Sequence, residues 1–183
     1  MNKPAHLMGG LTAGVAVSKY LEPTIINSGA VDSIVNIGVV LCGALLGSLL
    51  PDIDHRKSYI GRKLRVASFI ISKTLGHRSI VHTPIVIFAF SALLYSLTTQ
   101  FTGIIHSLSR LFVIGMSYGM FSHLLLDMLT RRGIPLLYPF SSKSFRIANF
   151  KGGGIGDSLT MIIGPILIGL MVLDSIIPFL FRT

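Results

Sequence analysis

Apolar residues fill several segments of this chain that are long enough to form membrane helices. A helix needs about 20 predominantly apolar residues to cross a bilayer, and residues 31–50, 111–129 and 159–180 each meet that length with few polar interruptions. The shorter apolar runs 84–97 and 7–21 add two candidates. The pattern predicts an all-α, polytopic membrane protein with about five membrane helices, or four if residues 7–21 only enter the interface.

Residues 59–75 form a different kind of segment, in which apolar and basic positions are interleaved at helical spacing. Its apolar positions include Ile60, Leu64 and Phe69. They are accompanied by Arg62, Lys63, Arg65 and Lys73. Such a composition favours a basic amphipathic helix that lies in the headgroup layer, with a solvated loop helix as the alternative.

Composition and charge support a bilayer environment. The chain is 51% hydrophobic and 13% charged, with a mean hydropathy of +0.73. Its net charge of +9 would suggest nucleic acid in a soluble protein, whereas in a hydrophobic chain it indicates membrane topology and contact with anionic lipids. No linker or internal repeat divides the sequence, so we predict a single domain over residues 1–183.

The distribution of Lys and Arg predicts which loops face the cytoplasm. Basic residues are frequent in residues 51–82 and again in residues 131–154, whereas residues 22–32 contain none and the connection near Thr102 offers only Arg110. Because cytoplasmic loops carry the excess of Lys and Arg, both basic loops are expected on the cytoplasmic side of the membrane.

Histidine and aspartate residues gather at the helix ends that this topology places on the cytoplasmic side. Ionisable residues in or beside membrane helices are costly and indicate functional sites. The nine residues are His6, Asp52, Asp54, His55, His77, His82, His123, Asp127 and Asp157. His106 belongs to the opposite side of the membrane and is excluded. The pattern predicts a one-sided metal site.

Two short motifs supply most of the candidate ligands. His123 and Asp127 are four residues apart on a helix, so both side chains project from one face. Asp52, Asp54 and His55 follow Pro51, and this density of carboxylate and imidazole donors suits zinc, manganese or iron. We expect Asp54 to be the ligating carboxylate and Asp52 to orient a ligand or act as a base. Simple ion pairing with the neighbouring basic residues is the alternative.

A third motif, GHRSIVHTP, precedes the helix that starts near Pro84. Thr83 is the expected N-cap, which leaves His77 and His82 just ahead of the helix. Arg78 between them is a candidate to stabilise a phosphate or a developing oxyanion. In KGGGIGD, Asp157 opens the last helix and is a less secure ligand, while the glycines favour a flexible joint.

Together, LPDIDH, GHRSIVHTP and YGMFSHLLLDMLTRRGIPLLYPF resemble the LexA-regulated inner-membrane proteins of the YdjM type, a family assigned as metal-dependent hydrolases. Here Ser79, Val81 and Thr83 replace the Gly, Thr and Ser that the family usually shows around its second histidine. The family is distantly similar to the zinc-dependent phospholipase C and single-strand nuclease superfamily. The resemblance implies a cluster of one or more zinc ions and nominates the ligands His6, Asp54, His77, His82, His123 and Asp127.

The sequence thus leads to a membrane-bound metal-dependent hydrolase that acts on a phosphate ester or phospholipid headgroup. Asp52, Asp54 and Arg78 are the catalytic candidates, and Arg78, Arg131 and Arg132 are expected to bind the anionic substrate. A metal-ion carrier or sensor without hydrolytic activity is the alternative. Membrane lipids are the expected partners; nucleic acid is not, because aromatic residues are not interleaved with the basic ones.

The topology generates a prediction of its own. In a background in which Cys42 is replaced by serine, a cysteine at position 62 or 143 should be labelled from the cytoplasm and a cysteine at position 106 from the other side. Membrane-impermeant thiol labelling of intact and opened vesicles measures this. Labelling of positions 62 and 106 from the same side would contradict the one-sided site.

Overall fold

The computed structural model describes residues 1–21, 30–74 and 80–180, and in these ranges the chain is helical with no regular strand. The helices are α1 (Lys3–Ala16, continued by a π-helical turn at Val17–Leu21), α2 (Ala30–Gly47), α3 (Tyr59–Lys63), α4 (Arg65–Thr74), α5 (Pro84–Leu97), α6 (Gly103–Met128) and α7 (Ile155–Leu180). Short 3-10 turns occupy Leu50–Asp54 and Thr98–Gln100. The expected all-α membrane fold is confirmed.

Three helices are long and apolar enough to cross a membrane by length and composition. They cover Asp32–Asp54, Gly103–Met128 and Ile155–Ile177. The helix over Pro84–Gln100 is apolar but shorter, and α1 is not among the three candidates. The expected membrane helices are therefore all present as helices, while only three of the five meet a spanning criterion within the described part of the chain.

Local sequence explains where the helices begin. The Asn2 side chain accepts a hydrogen bond from the backbone N–H of Ala5 (3.0 Å) and caps α1. Thr83 caps α5 by accepting from the N–H of Val86 (3.3 Å), with Pro84 at the first helical position, as the sequence predicts. The segment expected as one amphipathic helix is instead two, α3 and α4, because Leu64 leaves the helical conformation between them (φ −106°, ψ 58°).

The α2–α6 pair is packed through glycines. A β-carbon at Gly43 or Gly47 would overlap the carbonyl oxygen of Phe112 or Met116. A β-carbon at Gly115 or Gly119 would likewise overlap backbone atoms of α2. Small residues four positions apart on both helices let the two backbones approach closely, which is the usual way in which membrane helices associate. Gly115 and Gly119 therefore serve close helix packing.

The helices run so that five helix ends meet at one end of the molecule. Asn2 and Lys19 of α1 pair with Asp157 and Asp174 of α7, with the same separation of 155 residues, so α1 and α7 are parallel. α1 runs opposite to α2, because Gly10 faces Ser48 while Gly14 faces Leu41. It also runs opposite to α6, because Met1 lies beside Asp127 while Val17 packs with Leu111. The starts of α1, α5 and α7 therefore lie beside the ends of α2 and α6.

The glycine contacts between α2 and α6 predict that two alanine substitutions on α2 lower the stability of the protein by different amounts. Gly47→Ala should lower the thermal midpoint of the purified protein, because its β-carbon meets the backbone of Met116; overpacking of this kind typically costs about 1–3 kcal/mol. Gly38→Ala is the control, because no atom lies within 4 Å of its β-carbon. Equal midpoints for the two variants would show that close backbone approach does not stabilise this pair.

Candidate metal centre

His123 and Asp127 are the centre of a buried group of polar side chains at the end of α6. Both are completely buried. The Nδ1 atom of His123 lies 2.7 Å from the carbonyl oxygen of Ser48, which follows α2. Because a carbonyl only accepts, Nδ1 carries the hydrogen and Nε2 keeps its lone pair. That Nε2 atom lies 3.6 Å from Oδ2 of Asp127.

His6 enters the group from the first turns of α1. Its ring stacks on the ring of His123, with centroids 3.8 Å apart and an interplanar angle of 11°. Its Nε2 atom lies 3.5 Å from Oδ1 of Asp127. Burial, and then the neighbouring His123, lower the pKa of His6 to about 4. The imidazole is therefore neutral at pH 7 and able to act as a ligand.

His82 reaches the same carboxylate from the start of α5. Its Nε2 atom lies 3.7 Å from Oδ2 of Asp127 and 3.8 Å from Oδ1 of Asp52. On the other side of the ring, Nδ1 lies 3.4 Å from Oδ2 of Asp54. The side chain is fully buried. Asp54 is thus positioned to orient the imidazole, in the way that carboxylates often orient metal-binding histidines.

The 3-10 turn Leu50–Asp54 gives its two acids different positions. Asp54 is fully buried behind His82, whereas Asp52 is partly exposed and its Oδ1 lies 3.9 Å from Nε2 of His123. Potential ligand atoms lie within 4.8 Å of one another in two overlapping groups. These are His6, His123 and Asp127, and Asp52, His82 and His123. Asp54 is in neither.

The donor set fits a divalent cation such as zinc. Among the described residues, the Nε2 atoms of His82 and His123 are buried without a hydrogen-bond partner, an arrangement that is costly unless something else binds them. Imidazole nitrogens and carboxylate oxygens are the usual ligands of zinc, manganese and iron. Oδ2 of Asp127 faces His82 and His123, whereas Oδ1 faces His6 and accepts from the amino group of Met1 (2.7 Å).

The remaining predicted ligands have other positions. Asp157 lies at the start of α7, where Oδ1 accepts from the backbone N–H of Asn2 (3.1 Å) and Oδ2 from that of Gly153. It hydrogen-bonds to backbone N–H groups and is in neither ligand group, so its role as a ligand stays a prediction. Nδ1 of His55 accepts from the N–H of Lys57 (3.3 Å), outside both groups. His77 and Arg78 lie outside the described residues, so their roles stay predictions.

A cleft of about 530 Å³ lies over the buried group, and Asp52 belongs to both. Five basic residues line it, namely Lys3, Lys57, Arg131, Arg132 and Lys151. Sequence reasoning singled out Arg131 and Arg132 but missed the other three, because Lys3, Lys57 and Lys151 come from segments far apart in the chain. We call this the basic cleft; its charge suits an anionic ligand.

His106 has the position that the sequence predicts. It lies near the start of α6, whereas His123 lies near the end, so the two are about 26 Å apart along the helix at 1.5 Å per residue. It is in neither ligand group. His106 is therefore a natural control for the loss of an imidazole.

A family model described as YdjM inner membrane protein matches residues 1–177. The chain belongs to the YdjM family. The inner membrane protein YdjM of Escherichia coli (strain K12) is 39% identical over 100 residues, which are 55% of this chain and 49% of the relative. The Shigella flexneri YdjM protein gives the same values. The uncharacterized protein YvsG of Bacillus subtilis (strain 168) is 30% identical over 164 residues, 88% of each chain.

Membership of the YdjM family confirms the resemblance carried by the three sequence motifs. The matched region spans about half the length of the two YdjM proteins of the enteric bacteria. No solved structure matches the chain. The family name and the apolar helices agree on an inner membrane protein.

The buried ligand groups predict which substitutions remove a bound metal. His123→Ala and Asp127→Ala should each reduce the metal content of the purified, reloaded protein to background. Each substitution removes a candidate ligand that lies beside both His6 and His82. His106→Ala should keep the wild-type content. Elemental analysis after chelation and reloading measures this, with thermal midpoints to verify folding. Wild-type metal content in folded His123→Ala protein would contradict the site.

Proposed function

We propose that this chain is a membrane-bound metal-dependent hydrolase that cleaves a phosphate ester or a phospholipid headgroup at the cytoplasmic surface of the inner membrane. The proposal rests on one observation, which is that the buried ligand groups lie next to the basic cleft. A buried set of imidazole and carboxylate side chains adjoins the basic cleft through Asp52, which belongs to both. A metal with an anion-binding cleft directly above it is the arrangement that phosphoester hydrolysis needs.

The metal would be held by His6, His82, His123 and Asp127, with zinc as the first choice. When bound, such an ion polarises the phosphoryl oxygen and lowers the pKa of water from 15.7 to about 7. The protein contributes the fixed geometry of the ligands. Ser48 determines which nitrogen of His123 is available. Asp54 lies 3.4 Å from Nδ1 of His82 and would orient that imidazole on metal binding.

Asp52 is the proposed proton acceptor. Among the acids around the buried group it is the one that also lines the basic cleft, so it can contact both the metal-ligand region and a substrate. An ionised carboxylate at that border can take the proton of the attacking water. This assigns to Asp52 the base role and to Asp54 an orienting one.

The surroundings of the 3-10 turn Leu50–Asp54 suit a substrate that has an anionic part and an apolar part. Arg131 and Arg132 on the cleft side would hold the phosphate. On the other side of the turn, an apolar cavity of about 230 Å³ is lined by Leu50, Pro51, Ile53 and residues of α4, α5 and α6. That cavity has room for part of an acyl chain, which supports the phospholipid headgroup as one of the two substrate classes. Arg78 remains a predicted phosphate ligand.

A metal-ion carrier or sensor is the second candidate, and the packing below the site argues against transport. A carrier needs polar groups that continue across the bilayer. The described interior next to the ligands is apolar, with Met116, Met120 and Leu124 in one cluster and Val17, Val40 and Leu111 in another. Metal flux into proteoliposomes that is abolished by His123→Ala would favour the carrier.

Asp52→Asn tests the proposal because it should separate metal binding from hydrolysis. The amide keeps the size of the side chain but cannot accept the proton, so we expect near-normal metal content and hydrolysis about 10²- to 10⁴-fold slower. The measurement is turnover of a panel of phosphodiesters, phosphomonoesters and phospholipids by metal-loaded protein. His106→Ala is the control with full activity. If the metal-loaded wild type left every substrate untouched, the proposed function would be wrong; loss of metal in Asp52→Asn would make Asp52 a ligand instead.

A further inference from the structure

A second basic surface is formed by α3, the start of α4 and the residues just before α3, and it shares Lys57 with the basic cleft. A groove of about 440 Å³ is lined by Arg56, Lys57, Gly61, Arg62 and Arg65. We call it the arginine groove. Four of its five residues are cations, all four are exposed, and its lining contains no carboxylate. Cations held so close together repel one another, and an anion among them relieves that repulsion.

An apolar face adjoins the arginine groove. Val66, Phe69 and Ile70 lie on one side of α4 and are 75%, 45% and 54% exposed, whereas Ser68 on the opposite side is completely buried. The guanidinium of Arg56 lies 5.0 Å from the ring centroid of Phe69, so the cationic and apolar parts are in contact. A helix with an apolar face beside basic side chains is typical of the membrane interface.

The position of α3 places this surface at the level of the lipid headgroups. The Ser58 hydroxyl donates to the carbonyl oxygen of Asp52 (2.7 Å) and accepts from the N–H of Gly61 (2.9 Å). A β-carbon at Gly61 would overlap the carbonyl oxygen of His55. These contacts tie α3 to the turn that directly follows α2, and the end of a membrane helix marks the bilayer surface.

We propose that α3 and α4 form a binding site for an anionic phospholipid of the bilayer. The arginine groove holds the headgroup phosphate, and Val66, Phe69 and Ile70 enter the acyl region. Arginine forks match the geometry of phosphate oxygens, and juxtamembrane cations attract anionic lipid. A nucleic acid would pair with the cations of the groove but would leave the adjoining apolar face uncovered. The site is independent of the proposed hydrolysis.

The test compares retained lipids in charge-matched variants. Full-length protein is purified from bilayers of equal phosphatidylglycerol and phosphatidylcholine with the same acyl chains, and bound lipid is counted by native mass spectrometry. We expect the wild type to retain phosphatidylglycerol selectively and Arg62→Gln/Arg65→Gln to lose roughly tenfold or more of that preference. Lys143→Gln/Arg146→Gln removes the same charge from another exposed loop and should keep the preference.

Two further measurements define the occupant. Position 69, labelled with an environment-sensitive fluorophore through Phe69→Cys in a Cys42→Ser background, should be quenched by lipids that carry a spin label on the acyl chain. Free glycerol phosphate should not displace the retained lipid. Equal retention of both lipids by the wild type, equal loss in both double variants, or an unquenched probe would overturn the proposal. So would tight binding of a single-stranded oligonucleotide that depends on Arg62 and Arg65 without any lipid preference.

Discussion

The close approach of α2 and α6 is the constraint on which the candidate centre depends. Glycines at the contact let the two backbones meet. Directly beyond this contact, the carbonyl oxygen of Ser48 accepts from Nδ1 of His123 at 2.7 Å. A wider spacing would separate these two atoms, and His123 would lose the hydrogen bond that leaves Nε2 available. Helix packing thus determines which histidine nitrogen faces the ligand group.

Burial of this group of polar side chains destabilises the fold, and that destabilisation argues for a bound ligand. His6, His82, His123 and Asp127 are almost completely removed from solvent, and their hydrogen bonds within the described chain do not satisfy every imidazole nitrogen. Apolar side chains in the same space would remove the desolvation cost of these polar groups. A bound divalent cation would compensate that cost, because it would use the lone pairs that protein donors leave open.

Sequence periodicity and local motifs predicted the helices and the central ligands, because both depend on short-range geometry. His123 and Asp127 share a face through their spacing on one helix, and Thr83 caps α5 through its place before Pro84. The role of Asp157 could not be predicted, since its partner Asn2 is 155 residues away. The roles of Asp52 and Asp54 also depended on tertiary structure, because a 3-10 turn rather than an extended segment directs their side chains.

The turn Leu50–Asp54 links the chemistry of the centre to the bilayer surface. Asp52 faces the basic cleft, whereas Leu50, Pro51 and Ile53 line the apolar cavity, so one short element separates a charged space from an apolar one. The same turn is bonded to α3 through Ser58. Since α3 continues into the amphipathic α4, an interfacial position of α4 would hold the turn at headgroup height. A phosphate at that height is within reach of Asp52 without leaving the membrane surface.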